Sequence, residues 1–115
     1  MDKENTKTSN GKSSTPASTV TITNDYRLPA TNTLYTATKL SIVEDKPIMM
    51  NYWTNSLDKT VFIGVNNNEK LLVKSNEEYT SPISKIYRVG KEFIINTDNY
   101  IYIVDVEIPI KKLSS

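Results

Sequence analysis

The chain has 115 residues, 37% of them apolar, and a formal net charge of +1 from 14 basic and 13 acidic side chains. That length bounds it to one domain with a tail and a modest core. It contains no Cys and no His, which excludes disulfide stapling, thiolate catalysis and Cys-ligated zinc, and removes the commonest general base and the commonest transition-metal ligand.

The charges are spread evenly. Residues 1–20 hold three basic and two acidic side chains, and the remainder holds eleven of each. A dedicated nucleic-acid binder concentrates Lys and Arg on one segment or face, and no such cluster is visible. Twelve Lys, twelve Ile and twelve Asn reflect the bias of an A+T-rich coding sequence, not a functional signature. No apolar run approaches the roughly 18 residues of a membrane span, and the N-terminus lacks the apolar core of a signal peptide. A soluble, intracellular chain is expected, with no membrane partner.

Met1–Thr19 is polar and of low complexity. Its apolar side chains are too few to offset the entropy of ordering it, so residues 1–20 are expected to form a disordered or extended arm, and residues 21–115 a small β-rich domain. Val20–Thr23 alternates β-branched residues as a short strand does, and Pro29 stiffens the approach to the domain.

In Thr33–Asp45, Leu34, Ala37, Leu40 and Val43 recur every three residues. Thr31 and Thr33 are available as caps, and Pro47 follows as a stop. Against these signals stand the β-branched Thr36, Thr38, Ile42 and Val43. The segment is assigned as one short helix, with a broad and imperfect apolar stripe.

Ile48–Thr54 alternates as a strand and Asn55–Lys59 is turn chemistry. Val61–Val65 and Lys70–Lys74 form a hairpin around Asn66–Glu69, with Gly64 as a bulge or close-packing point. Ser75–Pro82 is a polar connection. Ser84–Ile108 then reads as three antiparallel strands, turned at Gly90-Lys91 and at Asn96–Asn99. Tyr100–Val106 is apolar on both faces and is expected to lie inside a sheet covered on both sides. Beyond Ile108, Pro109 and Lys111-Lys112 read as a frayed end. The fold class expected is mainly β, a small antiparallel barrel or curled sheet of SH3-like or OB-like type.

Catalytic patterns fail on inspection. Glu44-Asp45 and Glu77-Glu78 are adjacent pairs that would diverge in a strand, whereas paired acid catalysis needs carboxyls converging on one cleft. Asp105 and Glu107 share a face and mark where the last strand leaves the core. Asn96–Asn99 lacks the glycine and distal glutamate of a calcium loop. Gly11, Gly64 and Gly90 are isolated, so no phosphate-binding loop is present. No cofactor or metal is expected.

The turns of the meander are the expected contact surface, through Tyr87, Arg88, Lys91, Asp98 and Asn99. Trp53, between Asn51 and Asn55, is the expected interface anchor. The alternative is a single-stranded nucleic-acid-binding barrel stacking bases on Tyr87, Tyr100 or Tyr102 beside Arg88.

Two stretches, Lys39–Val65 and Lys85–Asp105, carry a resemblance. Their Glu-Asp-Lys-Pro-Ile phrase at Glu44–Ile48, the Tyr52-Trp53 pair and the final meander resemble small, uncharacterised proteins of nucleocytoplasmic large DNA viruses, over roughly Leu34–Ile108. The resemblance implies a minor virion or assembly component, capsid-associated, with other proteins as partners. It carries over no catalytic residue. The expectation is therefore a non-enzymatic structural or interaction module that docks through its β-domain and its arm.

Overall fold

Pro47 and the residues before it decide the first element. In the computed structural model, which describes residues 27–113, Thr31–Glu44 is helix α1. It ends where Asp45 takes left-handed angles (φ 56°, ψ 51°), and the backbone N–H groups of Asp45 and Lys46 both return to the Ser41 carbonyl. Asp is one of the few non-glycine residues that tolerates this conformation. At the other end Ala30 offers no capping side chain, and the carboxylate of Glu92 takes that role by accepting from the Ala30 N–H at 3.1 Å and from the Thr33 hydroxyl. A carboxylate there also suits the positive end of the helix dipole.

The next elements correct the strand expected over Ile48–Thr54. Only Ile48–Met49 is extended (β1), and Trp53–Leu57 is a short helix, α2. The alternation that reads as a strand instead sends two adjacent aromatics into two separate cores: Tyr52 packs between sheets, and Trp53 packs under α1. A Ser56 hydroxyl locks α2, donating to the Trp53 carbonyl at 2.6 Å and accepting from the Asp105 N–H at 3.0 Å.

Phe62–Asn66 (β2) and Glu69–Ser75 (β3) form the expected hairpin, with Asn67 at φ 58° in its turn. The polar connection contains a further strand, Glu78–Tyr79 (β4), folded back on β3 across a bulge. Ile83–Val89 (β5), Glu92–Thr97 (β6) and Ile101–Asp105 (β7) are the antiparallel meander. Gly90, at φ 59°, occupies the first central position of the β5–β6 turn, where a two-residue hairpin asks for a positive φ. The expected frayed end is strand β8, Ile110–Lys112, parallel to β2. Leu113 lies over Gly64, whose missing side chain makes the space for it.

The strands form two open four-stranded sheets in the orders β1-β7-β6-β5 and β4-β3-β2-β8. This corrects the expectation of a single antiparallel barrel or curled sheet. Each sheet is mixed, because an edge strand distant in sequence joins in parallel: β1 on β7, and β8 on β2. The helices cover one face of the first sheet and the second sheet covers the other. Mainly β, and with one main helix, the domain is thus three layers deep. The arm of residues 1–20 and the strand at Val20–Thr23 lie outside the described residues.

β7 is the spine of both cores. Ile101 and Ile103 face the helices with Ala37, Trp53 and Ile94. Tyr102 and Val104 face the second sheet with Val61, Ile63, Leu72 and Ile95. All four β7 side chains are buried, which accounts for a strand apolar on both faces. At roughly 1.5–3 kcal/mol for each large apolar side chain buried, this strand and β6 contribute the largest share of the core.

Candidate interaction surface

The helix that covers β7 leaves apolar residues outside. Leu34, Ala37 and Leu40 turn toward the sheet, while Tyr35, Ile42 and Val43 are 65%, 76% and 78% exposed. A helix packed on one sheet buries a single stripe, so the apolar residues in excess of that stripe face outward. An open groove of about 280 Å³ runs along this flank, lined by Tyr35, Thr36, Lys39, Leu40 and Val43 of α1 and by Tyr87 of β5.

Among the described residues β5, seven residues long, is an edge strand of the helix-covered sheet. Tyr87 pairs with Ile94 in register and so shares the helix-facing side. Two lysines stand over the tyrosines of the groove: Lys39 Nζ is 5.5 Å from the Tyr35 ring centroid, and Lys85 Nζ is 5.8 Å from that of Tyr87.

The surface residues expected from sequence do not gather at one place. Tyr87, half-buried, lines the groove. Arg88 is exposed on the opposite side of β5, its Nε donating to the Gly90 carbonyl at 3.0 Å, and Lys91 is exposed in the turn. Asp98 and Asn99 are exposed at the far end of β6, about 17 Å away at the usual rise per strand residue. Trp53 is not an interface anchor. It is 5% exposed, its Nε1 donates to the Arg27 carbonyl at 2.8 Å, and the Arg27 guanidinium lies over its ring. The residues missed were Tyr35, Lys39 and Val43. Their only sequence signal was the breadth of the apolar stripe in Thr33–Asp45.

Tyr87 and Tyr102 do not share a face on which bases could stack. Tyr102 is 7% exposed and faces the second sheet, edge-on to Tyr52 at 5.2 Å, whereas Tyr87 is on the opposite face. Burial pushes the Tyr52 hydroxyl up to about 12, with Glu78 and Tyr102 adding to the effect, and raises Tyr102 as well.

Glu44, Asp105 and Glu107 are engaged in contacts within the fold. Glu44 is held below the ordinary carboxylate value, first by the hydrogen bond from Asn96 Nδ2 (3.0 Å) and then by the Lys46 ammonium at 3.1 Å. Lys46 in turn donates to Asn96 Oδ1 at 2.9 Å and to the Thr97 carbonyl at 2.7 Å. Asp105 accepts from the Glu107 N–H, and Glu107 pairs with Lys59 at 3.3 Å. Among the described residues no three His, Cys, Asp or Glu side chains converge to hold a metal ion. No described helix is long and apolar enough to cross a membrane.

Comparison with protein-family models, curated proteins and solved structures finds no match for this chain. The flank of α1 and the edge of β5 therefore have to be read from their own chemistry. What they offer is an apolar trough with a lysine on its wall and another beside it, next to a strand whose outer edge has no partner among the described residues. Such a surface is equipped for contact, since exposed apolar residues that adjoin one another mark interaction sites more often than isolated ones do.

Proposed function

We propose that the protein is a non-enzymatic interaction module that docks on a neighbouring protein through the α1–β5 flank. The observation that carries this reading is the exposure of Tyr35, Ile42 and Val43 together on the helix that borders the groove. The absence of His and Cys, and the engagement of Glu44, Asp105 and Glu107 in structural contacts, support the non-enzymatic half. A place in a viral particle as a minor capsid-associated component, with the arm of residues 1–20 threading between neighbours, is supported by the sequence resemblance and by the composition of the arm. An intracellular or virion location follows from the same reading.

The test is recovery of the full-length protein from its native source, with its bound neighbours identified, beside a Val43→Asp variant. Val43 is 78% exposed, so loss of its side chain costs little, and a carboxylate in the last turn of α1 costs about 0.3–1 kcal/mol against the helix dipole. The expected result is loss of the neighbours from a variant that stays folded, with only a small fall in melting temperature. Neighbours retained in full by the variant, or a wild-type chain recovered alone, would overturn the reading.

A further inference from the structure

Among the described residues the helix layer leaves one strip of the sheet uncovered, and the gap has a shape. Strands in a sheet are spaced about 4.8 Å apart and packed helices 8–10 Å apart, so one helix covers about two strands. Helix α1 lies over β1, β7 and β6, and α2 lies on β7. The strip above β5 is left open, with Tyr87 as its floor and Tyr35, Leu40 and Val43 as its wall. The trough runs from Tyr35 to Val43, about 12 Å along the helix axis. That suits a second helix of two to three turns lying beside α1.

The charges narrow the occupant. Lys39 lines the α1 wall, and Lys85 stands next to the groove on β5, each over the tyrosine of its own element. Among the described residues neither forms a salt bridge and no Asp or Glu lines the groove; Lys85 acts at a distance on Glu44, whose carboxylate is already held by Asn96 and Lys46. A second copy presenting its own α1 flank would bring Lys39 against cations. Residues 1–26 carry three acidic and three basic side chains and no apolar stripe at helical spacing. Neither source complements these walls.

Resting on the reading of this flank as a docking surface, we infer that the groove receives an amphipathic α-helix of a protein partner, whose apolar stripe is bordered by Asp and Glu. Apolar side chains at i, i+3 and i+4 fill the trough between Tyr87 and Val43, as in helix-in-groove recognition. The flanking carboxylates meet Lys39 and Lys85 and set the orientation, which is what rim charges do best.

The experiment titrates the isotope-labelled full-length protein with three synthetic peptides followed by NMR. One is a leucine-striped helix with glutamate flanks. The second has the same stripe with lysine flanks. The third is a scramble of the first without a stripe. The acidic helix is expected to bind with shifts at Tyr35, Val43 and Tyr87, and the basic one to bind about tenfold more weakly. The scramble should not bind. The double variant Lys39→Glu/Lys85→Glu should reverse the order of the first two. Equal binding of both helices, or an order unchanged in the double variant, overturns the acidic partner and leaves the docking surface standing. No binding by any peptide, or contacts from residues 1–26 to Tyr35 and Tyr87, overturns the inference outright. If Val43→Asp also keeps every native neighbour, the docking reading falls with it.

Discussion

Glu92 on β6 closes the first turn of α1 by accepting a hydrogen bond from Thr33, 59 residues earlier in the chain. Both residues are buried, at 4% and 0% exposure, and the same carboxylate oxygen accepts from the Ala30 N–H. A helix start that is normally capped by its own neighbour is here capped from the sheet beneath it. Formation of α1 is thereby tied to formation of the meander.

The consequence is measurable. Glu92→Ala leaves the Ala30 N–H and the Thr33 hydroxyl without an acceptor, at a cost of about 2–3 kcal/mol. Thr33→Val should cost about 1–2 kcal/mol on the same basis. Because the two changes break one contact, the double variant should be less destabilised than the sum of the singles. Denaturant unfolding of the four proteins checks this, and strict additivity would show the contact to be idle.

The far end of α1 makes the fold acid-sensitive. Glu44 has its carboxyl held below the ordinary value of 4.5 by Asn96 and then Lys46. A folded-state value below the unfolded one contributes stability that is present above about 4.5 and is lost as pH falls through the folded value. Glu44→Gln should therefore be less stable than wild type near neutrality and converge with it in acid. Melting temperatures of both proteins against pH test this, and a constant gap at all pH values would contradict it.

Tyr52 sets the alkaline limit. Its hydroxyl is pushed from the ordinary 10 to about 12, chiefly by burial. The raised value contributes stability that is complete below pH 10 and declines as pH rises from there toward 12. Tyr52→Phe cannot ionise, so its stability should fall less steeply over that window. The raised Tyr102 leaves some slope in the variant. Urea unfolding at stepped alkaline pH reads the difference directly.

Gly64 is required by Leu113. A Cβ at residue 64 would stand 2.9 Å from the Leu113 side chain, closer than carbon atoms approach. Gly64→Ala should displace the half-buried Leu113 side chain at a cost of no more than about 1 kcal/mol and loosen the pairing of β8 with β2. Leu113→Ala in the same background should restore part of the loss. Amide hydrogen exchange at Leu113, whose N–H is bonded to the Val65 carbonyl at 2.8 Å, reports on β8 separately from global stability.

Some elements were legible because their signals are local. Gly90 marks a turn wherever the chain goes, and the turn expected at Asn96–Asn99 is found in its second half, at Asp98-Asn99, because Asn96 and Thr97 are buried in β6. The doubled apolar pattern of Ile101–Val104 requires cover on both faces. Pro47 and the three-residue recurrence from Leu34 to Val43 similarly sufficed for α1. Other elements were illegible because distant segments decide them. Ile48–Thr54 alternates like a strand, but Tyr52 and Trp53 gain more by entering separate cores, and α2 is the turn that divides them. Lys111-Lys112 is polar at the end of the chain, and only the unpaired edge of β2 makes it a strand. Edge strands joining in parallel also opened the expected barrel into two sheets, since parallel neighbours are not implied by hairpin spacing.

The composition by itself determined the chemistry that is missing, and the local patterns determined the meander and the main helix, because turn geometry and apolar periodicity act within a few residues. The interaction surface was decided only by the tertiary structure. Leu34, Tyr35, Leu40 and Val43 are equally apolar in the sequence, and they differ only in how α1 is rotated on its sheet. That rotation is set by Glu92 at one end and by Asn96 and Lys46 at the other. It turns the half-buried Leu34 and Leu40 toward the sheet, with Leu40 also at the inner wall of the groove, and leaves Tyr35 and Val43 exposed along it.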